Sequence, residues 1–163
     1  MSGQTKVDLN NEINYLFGYA GVAIALTFAN LGAAYGTAKS GVGICAMGVM
    51  KPSVIIRGVI PVIMAGILGI YGLIVAVILG QKLNEQESDT NKYNEYKGFK
   101  HLGSGLTCGL TSLAAGIAIG VGGEAGVRAL GQQDKVFVGM MLILIFSEAL
   151  GLYGLIVALI LTQ

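Results

Sequence analysis

A single acidic residue, Glu148, stands in the middle of the apolar run LILIFSEALGLYGLIVALIL, residues 142 to 161. A charged acid at the centre of a bilayer costs roughly 2.5–3.5 kcal/mol on insertion scales. A glutamic acid in water ionises near pH 4.3, so holding one neutral at pH 7 costs on the order of 3.7 kcal/mol. Because the two costs are similar, a nearby cation or a path to water decides which form prevails. The residue type and its position therefore predict a reversible proton carrier.

Two further observations bear on this glutamate. Acids inside membrane segments are functional by default, although a static hydrogen bond between helices is an alternative role. The arginines Arg57 and Arg128 lie at the ends of apolar runs, where they are predicted to anchor helices at the interface. No basic residue of this chain is expected at the depth of Glu148.

The composition of the chain indicates a membrane protein. Of its 163 residues, 54% are hydrophobic and only 12% are charged, which is too apolar for an ordinary soluble domain. A helix that crosses a bilayer needs about 20 apolar residues. The N-terminal segment lacks a basic leader, so the first apolar run is predicted to be a true span rather than a signal peptide. The sequence predicts an all-α membrane domain over residues 1–163, with spans in residues 13–38, 58–81, 102–123 and 136–163.

The sequence also contains an internal duplication. Residues 68–79 align without gaps on residues 150–161, with ten of twelve positions identical at an offset of 82. In this alignment Glu148 falls opposite Gly66, so only the second copy keeps the acid. Each copy has an even number of spans, so the two copies share one topology. The prediction is two tandem helical hairpins, residues 13–81 and 102–163, joined by a polar loop at 82–101.

Segments 39–57 and 124–135 are predicted as turns between spans. Each side of the membrane receives five Lys and Arg residues, so charge counting does not orient the chain.

The sequence excludes several kinds of binding site. The sequence contains no GxxxxGK motif for a nucleotide and no basic patch for a nucleic acid. His101 has no second histidine or suitably spaced carboxylate, so no metal site and no cofactor are predicted.

Stripes of small residues follow the first and third spans. They allow helix backbones to approach closely where lipid gives no hydrophobic drive for association. Two assemblies remain open: a compact monomeric four-helix bundle, or a ring of identical chains in two layers, with spans one and three inside. The stripes consist of Gly21, Ala25, Ala29 and Ala33 in span one, and Gly105, Gly109, Ser112, Gly116 and Gly120 in span three.

Four segments carry a resemblance to a known family: GAAYGTAKSGVGI at 32–44, PVIMAGILGIYGL at 61–73, GEAGVR at 123–128, and the long run at 137–161. They resemble the 16 kDa c-type proteolipids of vacuolar-type proton ATPases. The resemblance covers nearly the whole chain except the N-terminal tail and the longer polar loop. It implies a four-helix subunit in an oligomeric ring, either homo-oligomeric or of mixed proteolipids, with the short turns facing the cytosol.

The resemblance also implies roles for particular residues. Glu148 matches the proton-binding glutamate of the family, and Tyr71 matches a tyrosine that can hydrogen-bond to it, while Ser147 and Tyr153 are further candidates for supporting roles. The implied partners are the lipid membrane, a stator protein that supplies an arginine and half-channels, and a central-stalk protein. The implied location is a vacuole or another acidic endomembrane compartment. The chain would not be an enzyme on its own.

Two other functions are kept as alternatives. A small four-helix proton-coupled exporter could also carry one membrane acid, but it would be expected to place that acid in the first span beside aromatic residues, and Trp is absent here. A purely structural pore or adaptor would use the duplication for packing alone.

Overall fold

A computed structural model of the chain describes residues 2–87 and 93–163, with side chains described for 12–84 and 93–163. The described residues form long helices and no strand. The helices are α1 (Ser2–Gly48), the single turn α2 (Ile55–Gly58) preceded by a 3-10 turn (Pro52–Val54), α3 (Ile60–Glu87), α4 (Glu95–Gln132) and α5 (Val136–Thr162).

Four stretches of the described residues are long and apolar enough to cross a membrane. They are Glu12–Gly48, Pro52–Asn84, Glu95–Gln132 and Val136–Thr162. The first three contain the corresponding predicted runs, and the fourth ends one residue before its run does, so the predicted all-α membrane fold with four spans is confirmed. At a rise of about 1.5 Å per residue, the 27 residues of α5 are about 40 Å long, which exceeds the roughly 30 Å hydrocarbon core.

The helices continue further into the predicted connections than the sequence suggests. The first predicted turn begins at Lys39, but α1 ends only at Gly48, and Pro52 then starts the return. The second begins at Glu124, yet α4 runs to Gln132. Arg128 donates a hydrogen bond to Glu124 at 2.7 Å, one helical turn away, and this pair supports the helix where polar residues suggested a turn. Residues 88–92 of the predicted polar loop lie outside the described residues.

The closest packing in the molecule is between α1 and α4. Glycines make this possible: a Cβ atom on Gly32 would lie 2.6 Å from the backbone oxygen of Ser112, and one on Gly116 would overlap the backbone oxygen of Gly32. These positions belong to the predicted small-residue stripes. Helix α3 packs against α1 and α4, and α5 packs against α4 and α3. The arrangement leaves α3 and α5 side by side.

Candidate functional site: Glu148 between α3 and α5

Helix α5 places Glu148 near the middle of a span. Glu148 is the thirteenth of 27 residues in α5, and its side chain is half-buried. Apart from Ser147, the neighbouring residues of α5 are aliphatic or aromatic. The helix satisfies its own backbone N–H and C=O groups, so the carboxyl of Glu148 is the ionisable group at this depth of α5.

Two glycines that follow Glu148 bring α5 close to its neighbours. A Cβ on Gly151 would lie 2.6 Å from Cδ2 of Leu68 on α3, and a Cβ on Gly154 would overlap the hydroxyl of Thr111 on α4. Larger residues at these positions would hold α5 away from both helices. The close approach brings side chains of α3 within reach of the carboxyl.

Tyr71 makes the direct contact with the carboxyl. Its Oη donates a hydrogen bond to Oε1 of Glu148 at 3.3 Å, which joins α3 to α5 across the two hairpins. This distance is longer than the roughly 2.5–3.0 Å that is usual for an O–H···O hydrogen bond. A phenol hydroxyl that donates to a carboxylate oxygen stabilises the charged form without adding a charge of its own. The sequence-based pairing of Tyr71 with Glu148 thus corresponds to a contact in the structure.

The other two predicted supporting residues make no hydrogen bond to Glu148. Ser147 donates its hydroxyl hydrogen bond to the backbone oxygen of Ile143 at 2.8 Å, one turn back along α5. Tyr153 lies on the outer face of α5 and is 60% exposed. A supporting role for either residue in proton binding therefore stays a prediction.

The arginines lie away from the carboxyl, at the end of the molecule where the short turns are. Arg128 binds Glu124 on its own helix, and the Arg57 guanidinium lies 5.9 Å from the centre of the Phe137 ring. Among the described residues, no basic side chain forms an ion pair with Glu148. In the same part of the chain, no group of three or more His, Cys, Asp or Glu side chains could hold a metal ion.

Comparison with known proteins gives the family. The family model for the C subunit of ATP synthase matches residues 20–79 and again residues 102–161. A V-type proton ATPase 16 kDa proteolipid subunit from Chrysotila carterae is 64% identical over 147 residues, which cover 90% of each chain. The chain belongs to the 16 kDa proteolipid family of V-type proton ATPases. Two other 16 kDa proteolipids of V-type proton ATPases are similar to it: one from Caenorhabditis elegans, 63% identical over 89% of this chain and 88% of its own, and one from Rattus norvegicus, 56% identical over 94% and 95%.

The two family-model matches lie at the same offset of 82 residues as the internal alignment. The tandem duplication predicted from the sequence is therefore confirmed. In this V-type proteolipid, a hydrogen bond joins Glu148 of the second hairpin to Tyr71 of the first hairpin. Neither hairpin alone contains both groups.

A second polar cluster of the proteolipid lies at the end of the bundle that carries the polar segment. Tyr93 Oη lies 2.6 Å from Nδ1 of His101, and both side chains are buried. Asn14 of α1 donates to the backbone oxygen of Tyr93 at 3.3 Å, and the Tyr15 ring stacks on Tyr93 at 4.8 Å. Burial, with a smaller contribution from Tyr15, raises the pKa of Tyr93 to about 12. These contacts join α1 to the start of α4, and His101 is enclosed by protein.

Sequence reasoning missed one polar position of the spans. Asn30 is an exposed amide within the first apolar run, and together with Gly66 and Gly69 it lines a surface groove of about 310 Å³. Gly66 is the counterpart of Glu148 in the duplication. Asn30 could have been singled out from the sequence, because it is an amide in an uncharged run, at a depth where polar groups need hydrogen-bond partners.

Proposed function

We propose that Glu148 takes up and releases each proton that this proteolipid transports as a member of the membrane ring of a rotary V-type proton ATPase. The observation that carries the proposal is the hydrogen bond from Tyr71 to a carboxyl at the middle of α5. Among the described residues, the other acidic side chains lie at or beyond the ends of the apolar runs. A mid-span acid with a donor beside it fits a group that must exist in two protonation states.

In the neutral state, Glu148 can face lipid. A proton arrives at the carboxylate, removes its charge, and lowers the cost of placing the side chain in hydrocarbon. Oε1 of the neutral acid can still accept the hydrogen bond from Tyr71, so the side chain keeps a partner while the ring turns.

In the charged state, Glu148 needs a cation from outside this chain. We propose that a stator protein supplies an arginine there and half-channels through which protons enter and leave. A guanidinium beside the carboxylate favours release of the proton, and the Tyr71 hydroxyl adds a donor to the same charged form. Return of the site to lipid then requires a new proton.

The energy for transport has to reach this chain through its partners. Moving one charge against 100 mV costs about 2.3 kcal/mol, and the sequence has no GxxxxGK nucleotide motif. We propose that ATP hydrolysed elsewhere in the complex turns the ring through a central-stalk protein, and that the complex acidifies a vacuole or a related compartment. A proton-coupled exporter is not favoured, because the relatives are V-type ATPase proteolipids.

The test is a comparison of two isosteric variants in membrane vesicles that contain the assembled complex. Glu148→Gln should abolish ATP-driven acidification while the complex still assembles, because glutamine keeps the shape of the side chain but cannot bind and release a proton. Glu124→Gln removes an acid at the end of an apolar run and should retain acidification. Normal acidification by the Glu148→Gln vesicles would refute the proposal.

Carbodiimide labelling separates the rotary function from the exporter. A carbodiimide should modify Glu148 and inhibit ATP hydrolysis by the intact complex, and organic cations should not protect the residue. Protection by an organic cation would instead indicate a substrate site.

A further inference from the structure

The duplication gives the Tyr71–Glu148 contact a counterpart. At the offset of 82, Tyr153 corresponds to Tyr71, and Gly66 corresponds to Glu148. Tyr71 of α3 reaches position 148 of α5 within the chain. By the same geometry, Tyr153 of α5 should reach position 66 of an α3 helix. That helix cannot be α3 of the same chain, because Tyr153 points outward and is 60% exposed.

Position 66 lies in an open groove between α1 and α3. The groove has a volume of about 310 Å³, and a Cβ atom added to Gly66 would meet nothing within 4 Å. The space next to Gly66 is therefore not filled by a side chain of the same chain. The groove is lined by Leu26, Asn30, Ala33, Gly66, Gly69, Ile70 and Leu73.

The groove and the tyrosine have complementary hydrogen-bonding groups. Asn30 is the polar side chain of the groove, and its Oδ1 lies 2.8 Å from the position of a Cβ on Gly69. Within the part of the chain that the structure describes, neither Asn30 nor Tyr153 has a hydrogen-bond partner. Both lie within apolar runs, where an unpaired amide or phenol is costly. A phenol hydroxyl can donate to an amide oxygen.

We propose that Tyr153 of one copy enters the Gly66 groove of a second copy and donates a hydrogen bond to Asn30 there. The inference rests on the ring of the proposed function and deepens it by naming the contact between copies. Each chain then takes part in two corresponding contacts: an internal one between α3 and α5, and one between copies in which α5 of one copy packs on the groove between α1 and α3 of the other. The internal contact ends on a carboxyl that binds a proton. The contact between copies ends on an amide, so it holds the assembly together without binding a second proton.

Cross-linking tests this contact on the full chain in membranes. In a background with Cys45→Ser and Cys108→Ala, the double variant Tyr71→Cys/Glu148→Cys should cross-link within one chain and calibrates a short thiol-reactive linker. The double variant Tyr153→Cys/Gly66→Cys should give a ladder of dimers and higher oligomers with the same linker. Leu152→Cys/Gly66→Cys is the matched control, since Leu152 lies about 100° around α5 from Tyr153, and it should give little ladder.

Each result of this experiment supports or overturns the contact. A ladder that needs both cysteines, at positions 153 and 66, supports it. An equal ladder from the Leu152 control, or cross-linking only within single chains, overturns it. The native mass of the detergent-extracted particle distinguishes failure of this contact from failure of the proposed function. An oligomer without the ladder overturns the contact and leaves the proposed function intact. A monomer overturns both.

A double-mutant cycle measures the hydrogen bond itself. Tyr153→Phe and Asn30→Ala should each weaken association between copies by about threefold, the typical size of a hydrogen bond between membrane helices. The double variant should be no weaker than either single variant, because one bond is lost in all three. Tyr96→Phe, which removes an exposed phenol near the start of α4, should leave association unchanged. Fully additive losses would overturn the pairing.

Discussion

The hydroxyl of Tyr71 on α3 lies 3.3 Å from Oε1 of Glu148 on α5, and this contact joins the two halves of a duplicated chain. The first hairpin provides the donor and the second provides the acid. The glycines at 151 and 154 set the distance between them, because they let α5 approach α3 and α4 closely. A site of this kind depends on the packing of hairpins as much as on the acid.

Loss of the Tyr71 hydroxyl should make Glu148 more reactive toward carbodiimide. A hydrogen bond to a carboxylate favours the charged form, and carbodiimide attacks the neutral acid. If the bond contributes about 1 kcal/mol, Tyr71→Phe should increase the labelling rate at neutral pH by up to about fivefold. The rate is measured by mass spectrometry of the modified chain. A rate equal to that of the unmodified sequence would show that the contact does not affect the acid.

Two companion variants test the other predicted supporting residues. Ser147→Ala should change the labelling rate less than about twofold, because the Ser147 hydroxyl is bound to the Ile143 backbone. Tyr153→Phe should also change the labelling rate less than about twofold, because Tyr153 points away from its own chain and makes no hydrogen bond to Glu148. An effect of Tyr153→Phe in dissociated chains would contradict the geometry.

Substitution of Gly116 should separate α1 from α4. A methyl group there would overlap the backbone oxygen of Gly32, and a backbone atom cannot rotate away as a side chain can. Overpacking of this kind costs typically about 1–3 kcal/mol, so Gly116→Ala should lower the melting temperature by about 2–4 °C per kcal/mol. Thermal unfolding in detergent, followed by circular dichroism, measures it.

Gly103 provides the control on the same helix. A Cβ at Gly103 meets nothing within 4 Å, so Gly103→Ala should not lower the melting temperature. If Gly116→Ala and Gly103→Ala have the same melting temperature, the close contact between α1 and α4 does not limit stability.

Alkaline pH should weaken the Tyr93 cluster. The pKa of Tyr93 is raised from 10.0 to about 12 in the folded chain, chiefly by burial. The neutral phenol is therefore favoured in the folded state, and its contribution to stability is complete below pH 10 and is lost as the pH rises through 12. Melting temperatures measured across this range should fall more steeply for the unmodified sequence than for Tyr93→Phe.

Side chains other than Tyr93 also respond to alkaline pH, which is why the comparison between variants is needed. Tyr96→Phe removes an exposed phenol from the same end and should retain the steep fall. Equal slopes for Tyr93→Phe and the unmodified sequence would assign the alkaline loss to other groups.

Glu124 should matter for local stability rather than for transport. Its carboxylate lies 3.5 Å from Lys39 and 2.7 Å from Arg128. Pairs of partly exposed charges typically contribute about 0.2–1 kcal/mol and are screened by salt. Glu124→Gln should therefore lower the melting temperature slightly at low salt, with the difference shrinking at high salt. A loss of transport as complete as that of Glu148→Gln would contradict the assignment of proton binding to Glu148 alone.

Much of the fold could be predicted because the physics of a bilayer constrains it so strongly. Long uncharged runs have to be helices, and the repeated segment around Tyr71 and Tyr153 showed that the chain contains the same hairpin twice. Helix ends were less predictable. The polar residues after Lys39 and Glu124 suggested turns, but ion pairs and close packing between α1 and α4 keep these segments helical.

The sequence by itself determined the number of spans, the duplication and the single mid-span acid, since each follows from hydrophobic length, repeated residues and the cost of burying a charge. Only the tertiary structure decided which candidate neighbours touch that acid. Tyr71 and Tyr153 are equivalent in the alignment, and Ser147 is next to Glu148 in the chain, yet of these three only Tyr71 donates a hydrogen bond to it. The physical reason is that helix packing places one tyrosine between α3 and α5 and turns the other outward, while a serine hydroxyl inside a helix binds the nearest backbone oxygen.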